Sequence, residues 1–449
     1  MTSPEPSELA RELNRRLEVA APEVLAMLSP LGRRLYFPKG ILSQSAEASE
    51  KAHRFNATIG IATVAGEPMH LPSVTRYLTD LDPADAVDYA PAGGRRKLRE
   101  LWREKQLREN PSQRGKRCGL PIATSAITHG LSLAGDLFVD SGDVIVIPDK
   151  LWGNYRLTYE VRLGAALRTF PLYAGSGFNH EGFVRALAES AVGREKLIVL
   201  LNFPNNPTGY VPSTAEGEAI SNALVRQAEG GTRIVAVLDD AYFGFFYHLG
   251  GPTMTESLFG ILSNRHPNLL AVKLDGATKE FCAWGLRCGF LTFGPGRRET
   301  ADEVASVLDT KVRGAIRSGI SNVSQLSQLL VERALASSSI DEERKAQLET
   351  LRARAEKVHD VAHAPRFRES WRVYPFNSGY FMSLQVEGLE AEAVRLYLLG
   401  EYGIGLIATG ASDLRIAFSC LELEEIEPLF EALHRAIQEL LSQGGRAPG

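Results

Sequence analysis

A lysine and an arginine near residue 280 are the first candidates for chemistry. Lys279 lies shortly after the apolar run LLAVKLDGA, and Arg287 follows eight residues later between Gly285 and Gly289. Taken alone, two such cations are typical of an exposed loop. A lysine used in covalent chemistry needs neighbours that tune its charge, such as an acidic partner or a second cation. The question is therefore whether other segments supply an acid, aromatic rings and an anion site.

Polar and aromatic residues that follow other apolar runs meet this requirement. Asp239 ends RIVAVLD, and Tyr242 follows three residues later. Asn206 lies in the turn NFPNNPTG, and Trp152 follows VIVIPD. Gly130, in ITHGLSLAGDLF, precedes an apolar helical pattern, so its amide and those after it could form an anion site at a helix N-terminus.

The apolar runs predict strands that are buried on both faces of a sheet. These runs are VIVIPD (144–149), KLIVLLNFP (196–204), RIVAVLDDAY (233–242), LLAVKLDGA (269–277) and CGFLTFG (288–294). Helical patterns such as STAEGEAISNALVRQAEGG lie between them, and this alternation predicts an α/β fold with a mostly parallel sheet. Ligands bind beyond the carboxyl ends of such strands, so the polar strand ends mark a candidate site.

The pattern changes near residue 342. A long charged helix, short strand-like runs and a last amphipathic helix follow, which predicts a smaller α+β domain. We expect a large domain over residues 71–340, and a small domain that combines 1–70 with 341–449. The tail GGRAPG is expected to fray, and the early stretch LYFPKGILSQSAEA to cover a cleft as a lid.

Motifs in a fixed order resemble the class I/II aminotransferases, which are pyridoxal-phosphate enzymes of fold type I. The motifs are Y-x-P-x-x-G (Tyr89 to Gly94), T-x-G (Thr128 to Gly130), W-G-N (Trp152 to Asn154), N-N-P-T-G (Asn205 to Gly209), D-x-A-Y (Asp239 to Tyr242), T-K-x7-R-x-G (Thr278 to Gly289) and the late Arg415 in DLRIAFS. The motifs are most similar to those of the aspartate aminotransferase subgroup. The resemblance implies a large domain with a mostly parallel sheet and a smaller α+β domain.

The resemblance also implies roles for residues around the cofactor ring. Lys279 would hold pyridoxal 5′-phosphate covalently and then move the substrate's proton. Asp239 would pair with the protonated ring nitrogen, which keeps the ring an electron sink. Asn206 and Tyr242 would donate hydrogen bonds to the ring 3-oxygen, and Trp152 would stack on the ring. Tyr155 matches a position that supports the aspartate, whereas Asp240 is expected to be a neighbour without that role.

A second group of implied roles concerns the cofactor phosphate. Arg287 and the amides after Gly130 would hold it. The family often has small hydroxyl residues at two positions where this chain has Leu131, after Gly130, and Gly276, three residues before Lys279. Thr278 or Ser132 is therefore expected to compensate. His129 would either touch the phosphate or be structural, and Tyr89 would reach a phosphate across the interface of a homodimer.

The implied substrates are an L-amino acid and a 2-oxo acid such as 2-oxoglutarate, which exchange the amino group in a ping-pong reaction. Arg415 would bind the α-carboxylate, with Asn206 and Trp152 beside it. The run IRSGISNVS resembles the stretch in which an arginine from the partner subunit binds a distal carboxylate, which gives Arg317 that role and leaves Arg313 as its alternative. Aspartate and glutamate are therefore favoured, and aromatic substrates stay open.

Two further segments match substrate-side positions of the family. Ile59 and Gly60, in the run FNATIGIATVAGEPMHLPSV, would line the site. Asn377 and Gly379, in FNSGYFM, match a strand that faces the substrate.

Composition excludes several other classes of protein. The 449 residues carry 50 Lys plus Arg and 54 Asp plus Glu, a net charge of −4, so no basic field is available for nucleic acid or an anionic membrane. The four cysteines form no C-x-x-C pair, which argues against zinc or a disulfide framework, and no metal site is predicted. No apolar run approaches the roughly 20 residues of a membrane span. A cytoplasmic location is expected.

Three alternatives to an aminotransferase were weighed on sequence features. A lyase or decarboxylase of the same fold would use the same lysine, aspartate and arginines, and the sequence leaves it open. A non-enzymatic regulator is disfavoured because Lys279, Asp239 and Arg287 are intact and the first 55 residues show no basic recognition helix. A Rossmann dehydrogenase is disfavoured because no G-x-G-x-x-G follows a strand.

Overall fold

The computed structural model describes residues 5–38 and 40–443, so the tail GGRAPG lies outside the described residues. The α-helices are α1 (Glu8–Ala20), α2 (Pro22–Met27), α3 (Pro30–Arg34), α4 (Ile41–Lys51), α5 (Pro72–Thr75), α6 (Pro83–Val87), α7 (Arg96–Glu109), α8 (Ala126–Phe138), α9 (His180–Ala191), α10 (Thr214–Glu229), α11 (Leu258–Leu262), α12 (Ala277–Glu280), α13 (Ala301–Gly319), α14 (Gln325–Leu335), α15 (Ile340–Ala362), α16 (Ala391–Tyr402) and α17 (Leu423–Ser442). A π-helix covers Arg156–Arg162.

The strands are β1 (Phe55–Asn56), β2 (Thr63–Val64), β3 (Glu67–Pro68), β4 (Ile122–Ser125), β5 (Val144–Pro148), β6 (Ala166–Phe170), β7 (Tyr173–Ala174), β8 (Gly177–Phe178), β9 (Lys196–Asn202), β10 (Arg233–Asp239), β11 (Leu269–Gly276), β12 (Cys288–Gly294), β13 (Trp371–Val373), β14 (Phe381–Val386), β15 (Ile404–Gly405), β16 (Ile407–Ala408) and β17 (Asp413–Ala417). All five apolar runs of the central region form strands, as the sequence predicts.

The central sheet has the strand order β4-β12-β11-β10-β9-β5-β6. Its strands are parallel except β12, which runs antiparallel to both β11 and β4. Helices cover both faces, so the interior strands are almost wholly apolar and buried. The predicted α/β class with a mostly parallel sheet is confirmed.

The register of the central sheet brings the polar strand ends together. Asp239, the last residue of β10, pairs with Asn202 of β9 and with Leu274 of β11. Since parallel strands end at the same edge, the segments that follow β9, β10 and β11 meet there. Lys279 follows β11 on the one-turn helix α12 and therefore lies at this edge.

A second, antiparallel sheet has the order β13-β14-β17-β16. Helices α15 and α17 pack together beside it, and the inward face of α17 buries Leu429, Leu433 and Ile437. This part has the predicted α+β character. The short strand β1 pairs in parallel with β15, which attaches the N-terminal segment to the C-terminal region. The boundaries 71–340, 1–70 and 341–449 stay a prediction.

Helix α4 is fixed to the C-terminal region by polar contacts from its first turn and from its middle. Near its start, Gln44 donates to the Ala408 carbonyl (3.2 Å) and accepts from the Ala408 amide (2.9 Å). Further along, Glu47 accepts a hydrogen bond from Arg395 (2.9 Å). These contacts place Ile41, at the start of α4, in the wall of the main pocket. The stretch expected to be a lid therefore reaches the site.

Candidate active site

One pocket at the carboxyl ends of β9, β10 and β11 collects most of the residues that the sequence singles out. Its lining includes Gly60, Trp152, Asn206, Asp239, Tyr242, Thr278, Lys279, Arg287 and Arg415. These residues come from segments more than 350 positions apart in the chain. The pocket also contains side chains of both sheets, because Arg415 lies on β17 and Asp239 on β10.

Asp239 is buried and held from three sides. Its Oδ2 accepts from the Tyr155 hydroxyl (2.6 Å), and its Oδ1 accepts from the Ala241 amide (3.1 Å). Asn202 donates to its backbone carbonyl (2.8 Å). Burial raises the pKa of Asp239 to about 6, although the hydrogen bond from Tyr155 and the charge of Lys279 act in the opposite direction. The carboxylate is fixed in position and is mostly ionised at neutral pH.

Lys279 projects from α12 into the same pocket. Burial lowers its pKa to about 8; Asp239 opposes this change and Arg287 adds to it. Its Nζ lies 5.2 Å from the centre of the Tyr242 ring. A lysine with this pKa has a sizeable neutral fraction near pH 8, and the neutral amine is the form that attacks carbonyl groups and takes up protons.

Arg415 is also buried in the wall of this pocket. Its Nη2 donates to the Thr58 carbonyl (2.6 Å), and its Nη1 donates to Asn206 Oδ1 (3.2 Å). The guanidinium also stacks on the Phe381 ring at 4.2 Å. Its Nε is buried without a hydrogen-bond partner among the residues that the structure describes. A buried donor of this kind is suited to a ligand carboxylate.

The anion end of the pocket lies at the start of α8. Ala126 has a φ of +59°, and its amide donates to the Arg287 carbonyl (3.0 Å). The amides of Ile127 and Thr128 lie in the first turn, where helical N–H groups have no partner within the helix. Thr278 Oγ1 is buried nearby and has no partner in the described part of the chain. Arg287 completes this end of the pocket.

The structure corrects the positions expected for Gly130 and Leu131. Strand β4 ends at Ser125 and α8 begins at Ala126, so residue 130 is the fifth residue of the helix. Its amide falls within the range of intrahelical bonding, and an added Cβ would lie 2.8 Å from Leu274. Leu131 is fully buried in the core. Both residues pack the helix on the sheet, and neither lines the pocket.

A family comparison agrees with this geometry. The family described as aminotransferase class I and II matches residues 64–433. This chain belongs to that family. The aminotransferase therefore depends on pyridoxal 5′-phosphate and has the fold of the type I enzymes. When bound, this cofactor supplies an electron sink for a carbanion at the substrate Cα.

Relatives of this aminotransferase cover most of the chain at low identity. An LL-diaminopimelate aminotransferase of Nostoc sp. is 23% identical over 389 residues, which are 84% of this chain and 88% of the relative. An aspartate aminotransferase of Rhizobium meliloti is 26% identical over 251 residues, covering 54% and 55% of the two chains. The crystal structure of an aminotransferase from Anaerococcus prevotii matches with a TM-score of 0.80 at 24% identity, covering 92% of this chain and 99% of that one.

The described residues of the aminotransferase fit a phosphorylated pyridine cofactor. Asp239 is an anchored carboxylate, and Lys279 faces it across the pocket. The unpartnered Thr278 Oγ1, the first amides of α8 and Arg287 are donors grouped at one end. Such a donor set suits a phosphate group.

Two predicted residues of the aminotransferase lie outside the pocket of their own chain. Tyr89 is 84% exposed on the loop between α6 and α7. Arg317 lies near the end of α13, is exposed, and donates to Ser321 Oγ (2.6 Å). Neither residue reaches the pocket within one chain, so their predicted roles depend on a partner subunit.

Several other residues have structural partners instead of a place in the pocket. Asn377 makes two hydrogen bonds with the backbone of Val211, both 2.9 Å. His129 accepts from the Ser125 amide (3.1 Å). Asp240 points away from the pocket and pairs with Lys273. This last contact agrees with the expectation that Asp239, not Asp240, faces the site.

Sequence reasoning did not single out Phe381 or Ala126 as parts of the pocket. It predicted the segment that contains Ile41 only as a lid over a cleft, without identifying Ile41 itself. Phe381 lies two residues after the predicted Gly379 and begins β14. Ala126 could have been found only from its position directly after a strand. In the part of the chain that the structure describes, no helix is long and apolar enough to span a membrane.

Proposed function

We propose that this aminotransferase moves an amino group between an L-amino acid, with aspartate and glutamate favoured, and a 2-oxo acid such as 2-oxoglutarate. The two substrates would bind in turn, as in a ping-pong reaction. The observation that carries the proposal is that Lys279, the Asp239 carboxylate and the buried guanidinium of Arg415 all line one pocket. Aromatic substrates stay an open alternative.

The roles of the catalytic residues follow from their surroundings. Lys279 would hold the cofactor, and its amine would carry the proton removed from the substrate Cα. Its pKa of about 8 suits this role, because proton transfer is most efficient when the pKa lies near the working pH. Asp239, oriented by Tyr155 and the Ala241 amide, would pair with the ring nitrogen. Tyr242 and Asn206, which line the same pocket, would donate to the ring oxygen.

Arg415 is the proposed site for the substrate α-carboxylate. Its Nε has no partner within the described chain, and Nη1 and Nη2 each carry a second N–H besides those donated to Asn206 and Thr58, so the guanidinium keeps donors for a carboxylate. Gly60 lines the same pocket, where an added Cβ would be in ordinary contact with Phe381 (3.4 Å) and the Tyr242 hydroxyl (3.6 Å). Trp152 lines the same pocket and is proposed to stack on the cofactor.

A homodimer with shared sites accounts for the two exposed residues. Tyr89 would contact the cofactor phosphate in the opposite site, and Arg317 would bind the distal carboxylate of a substrate held by the other chain. Support comes from their exposure and from the pocket, whose described lining contains only the guanidinium groups of Arg287 and Arg415. A cytoplasmic location is part of the proposal, supported by the four cysteines, each of which is a free thiol.

The deciding experiment is an absorbance titration of the protein loaded with pyridoxal 5′-phosphate, using single amino acids and no 2-oxo acid. We expect L-aspartate or L-glutamate to convert the cofactor to its amine form once per site. Continuous release of ammonia and a 2-oxo acid without an acceptor would instead indicate a lyase. Loss of carbon dioxide would indicate a decarboxylase.

Variants of α13 test the substrate class. Arg317→Ala should raise the half-saturating concentration of L-aspartate at least about tenfold and leave a neutral amino acid unaffected. Lys311→Ala, on the same helix, is the matched control, and Arg313→Ala tests the alternative arginine. An unchanged response to L-aspartate in both arginine variants would contradict the proposed dicarboxylate preference.

Mixed subunits test whether the sites are shared. The homodimers of Lys279→Ala and of Arg317→Ala are each expected to have low activity with L-aspartate. If Arg317 acts across the interface, a randomly reassociated mixture contains one intact site in every heterodimer and recovers about a quarter of the native activity. No recovery in a mixture shown to contain heterodimers would place Arg317 in its own chain's site or outside the reaction.

A further inference from the structure

A buried cluster of ion pairs lies on the side of α12 that faces away from the pocket. Its centre is Glu280, the residue directly after Lys279, which is 2% exposed. Glu280 Oε2 lies 2.6 Å from Lys105 Nζ of α7 and 2.9 Å from Arg344 Nη2 of α15. One carboxylate therefore connects three segments that are far apart in sequence.

A second carboxylate closes the cluster. Glu109 lies 2.6 Å from Lys105 Nζ and 2.7 Å from Arg344 Nη1, so the two acids and the two cations alternate. Burial raises the pKa of Glu109, but the charges of Lys105 and Arg344 outweigh it and lower that pKa to about 2. The four formal charges cancel, with Asp341 at the rim 3.7 Å from Arg344. Removing one member would leave another buried charge uncompensated.

Helix α12 needs such support because it consists of a single turn. An isolated turn of helix is unstable, since it fixes several backbone angles for very few hydrogen bonds. Its residues Ala277–Glu280 therefore take their position from tertiary contacts. The Lys279 carbonyl accepts from Gln347 Nε2 and from the Tyr380 hydroxyl, each at 3.3 Å.

Helix α15 holds two adjacent residues of α12. Arg344 contacts the Glu280 carboxylate and Gln347 contacts the Lys279 carbonyl. The two side chains are three positions apart and therefore lie on the same face of α15. The other end of α15 packs against α17 beside the second sheet. Lys279 is thus attached from behind to the C-terminal part of the molecule.

We propose that Glu280 is a positioning residue for Lys279. Held between Lys105 and Arg344, its carboxylate fixes the backbone turn from which Lys279 reaches the pocket. The side chains of Lys279 and Glu280 leave this turn in different directions, one towards the pocket and the other into the ion cluster. This inference rests on the role proposed above for Lys279.

The test compares Glu280→Gln and Arg344→Gln with Lys345→Gln. Lys345 is the matched control because it adjoins Arg344 on α15 but is 76% exposed. The first measurement is hydrogen–deuterium exchange of residues 276–283 in protein free of pyridoxal 5′-phosphate. We expect at least about fivefold faster exchange in the two cluster variants and native exchange in the control.

The second measurement follows the absorbance of bound pyridoxal 5′-phosphate against pH. A displaced Lys279 changes its distance from Asp239 and Arg287, so we expect the midpoint of this titration to shift by at least about 0.5 pH unit in both cluster variants. A lower melting temperature with native exchange of 276–283 and a native midpoint would overturn the proposal, because a merely structural cluster would behave in that way.

Conservative variants keep the test decisive if the glutamine variants do not fold. Glu280→Asp keeps the charge on a shorter side chain, and Arg344→Lys keeps the charge with fewer donors. We expect both variants to change the exchange of 276–283 and the titration midpoint in the same direction as the glutamine variants, but by less. Native values in both would contradict the proposal. Borohydride reduction followed by peptide mapping separates the two ideas. A label away from Lys279 refutes the proposed function, whereas a label on Lys279 with native exchange refutes the positioning role alone.

Discussion

Two pairs of neighbours in the chain have opposite surroundings in the fold. Asp239 and Lys279 face the pocket, whereas Asp240 and Glu280, the residues that follow them, are buried in ion pairs behind it. The pocket side includes polar atoms that the described protein leaves without partners, such as Thr278 Oγ1. Behind the pocket, each acid contacts at least one cation.

The region behind the pocket is built as a paired network. Asp240 contacts Lys273, and Asp275 accepts from Trp102 Nε1 (3.0 Å) and Gln106 Nε2 (2.9 Å). Buried polar groups that are fully paired make a structure rigid, and unpaired ones are costly and available to a ligand. The difference is one of charge: behind the pocket the buried acids are paired with cations, whereas the pocket leaves donors such as Thr278 Oγ1 and Arg415 Nε without partners among the described residues.

The largest effects are expected when each of the two buried lysines is replaced, Lys279 in the pocket and Lys273 behind it. Lys279→Ala should lower amino-group transfer at least about a thousandfold, because it removes the proposed proton-transfer group. Steady-state rates with L-aspartate and 2-oxoglutarate provide the measurement. Its denaturation midpoint should not fall below the native value. A variant with near-native rates would show that Lys279 is not the catalytic lysine.

Lys273→Met should mainly lower stability, whereas Lys279→Ala mainly lowers activity. Asp240 would be left as an unpaired buried charge, and we expect the free energy of unfolding to fall by about 3 kcal/mol. Urea unfolding measures the loss, with Lys345→Met as the exposed control. A loss below about 1 kcal/mol would mean that the network behind the pocket contributes little to stability.

In the cofactor-free protein, the effect of Lys279 on stability should depend on pH. The pKa of Lys279 is about 8 in the fold against its ordinary value of 10.5, so the folded protein binds the Lys279 proton less tightly than the unfolded one. This penalty is complete below pH 8 and disappears as pH rises to 10.5. Lys279→Met should therefore be more stable than the native chain by about 3 kcal/mol at pH 7.

At pH 10 the same difference should shrink to less than about 1 kcal/mol. Urea unfolding of both proteins at the two pH values provides the check. An equal difference at pH 7 and pH 10 would mean that the charge of Lys279 is not its source.

The smallest expected effects distinguish Thr278, which lines the pocket, from Gly130, which packs α8 on the sheet. Thr278→Ala should weaken binding of pyridoxal 5′-phosphate about tenfold with little change in stability, because it removes one donor from the anion site. Gly130→Ala should do the reverse and lower the free energy of unfolding by about 1 kcal/mol, since its Cβ would meet Leu274 at 2.8 Å. Equilibrium dialysis and urea unfolding distinguish them. If Gly130→Ala weakens binding of pyridoxal 5′-phosphate and Thr278→Ala does not, the anion site lies at Gly130, as the sequence predicts.

Much of the fold could be predicted because its signals are local. Strands such as 233–239 and 269–276 are mostly apolar runs, with Asp239 at the end of the first and Asp275 next to the end of the second. The antiparallel direction of β12 had no such signal, since a strand buried in either orientation has the same composition. Pocket residues predicted from these strand ends, such as Asp239 and Asn206, do lie together.

The α/β class, the family resemblance and most of the residues that meet in the pocket can be predicted from the sequence, because strand ends and short motifs consist of consecutive positions. Which amides are free for an anion depends on the three-dimensional fold. That choice depends on where β4 ends and α8 begins. The fold also decides that Ile41 reaches the pocket and that Glu280 turns away from it. These outcomes depend on packing between segments hundreds of residues apart, and no local pattern encodes them.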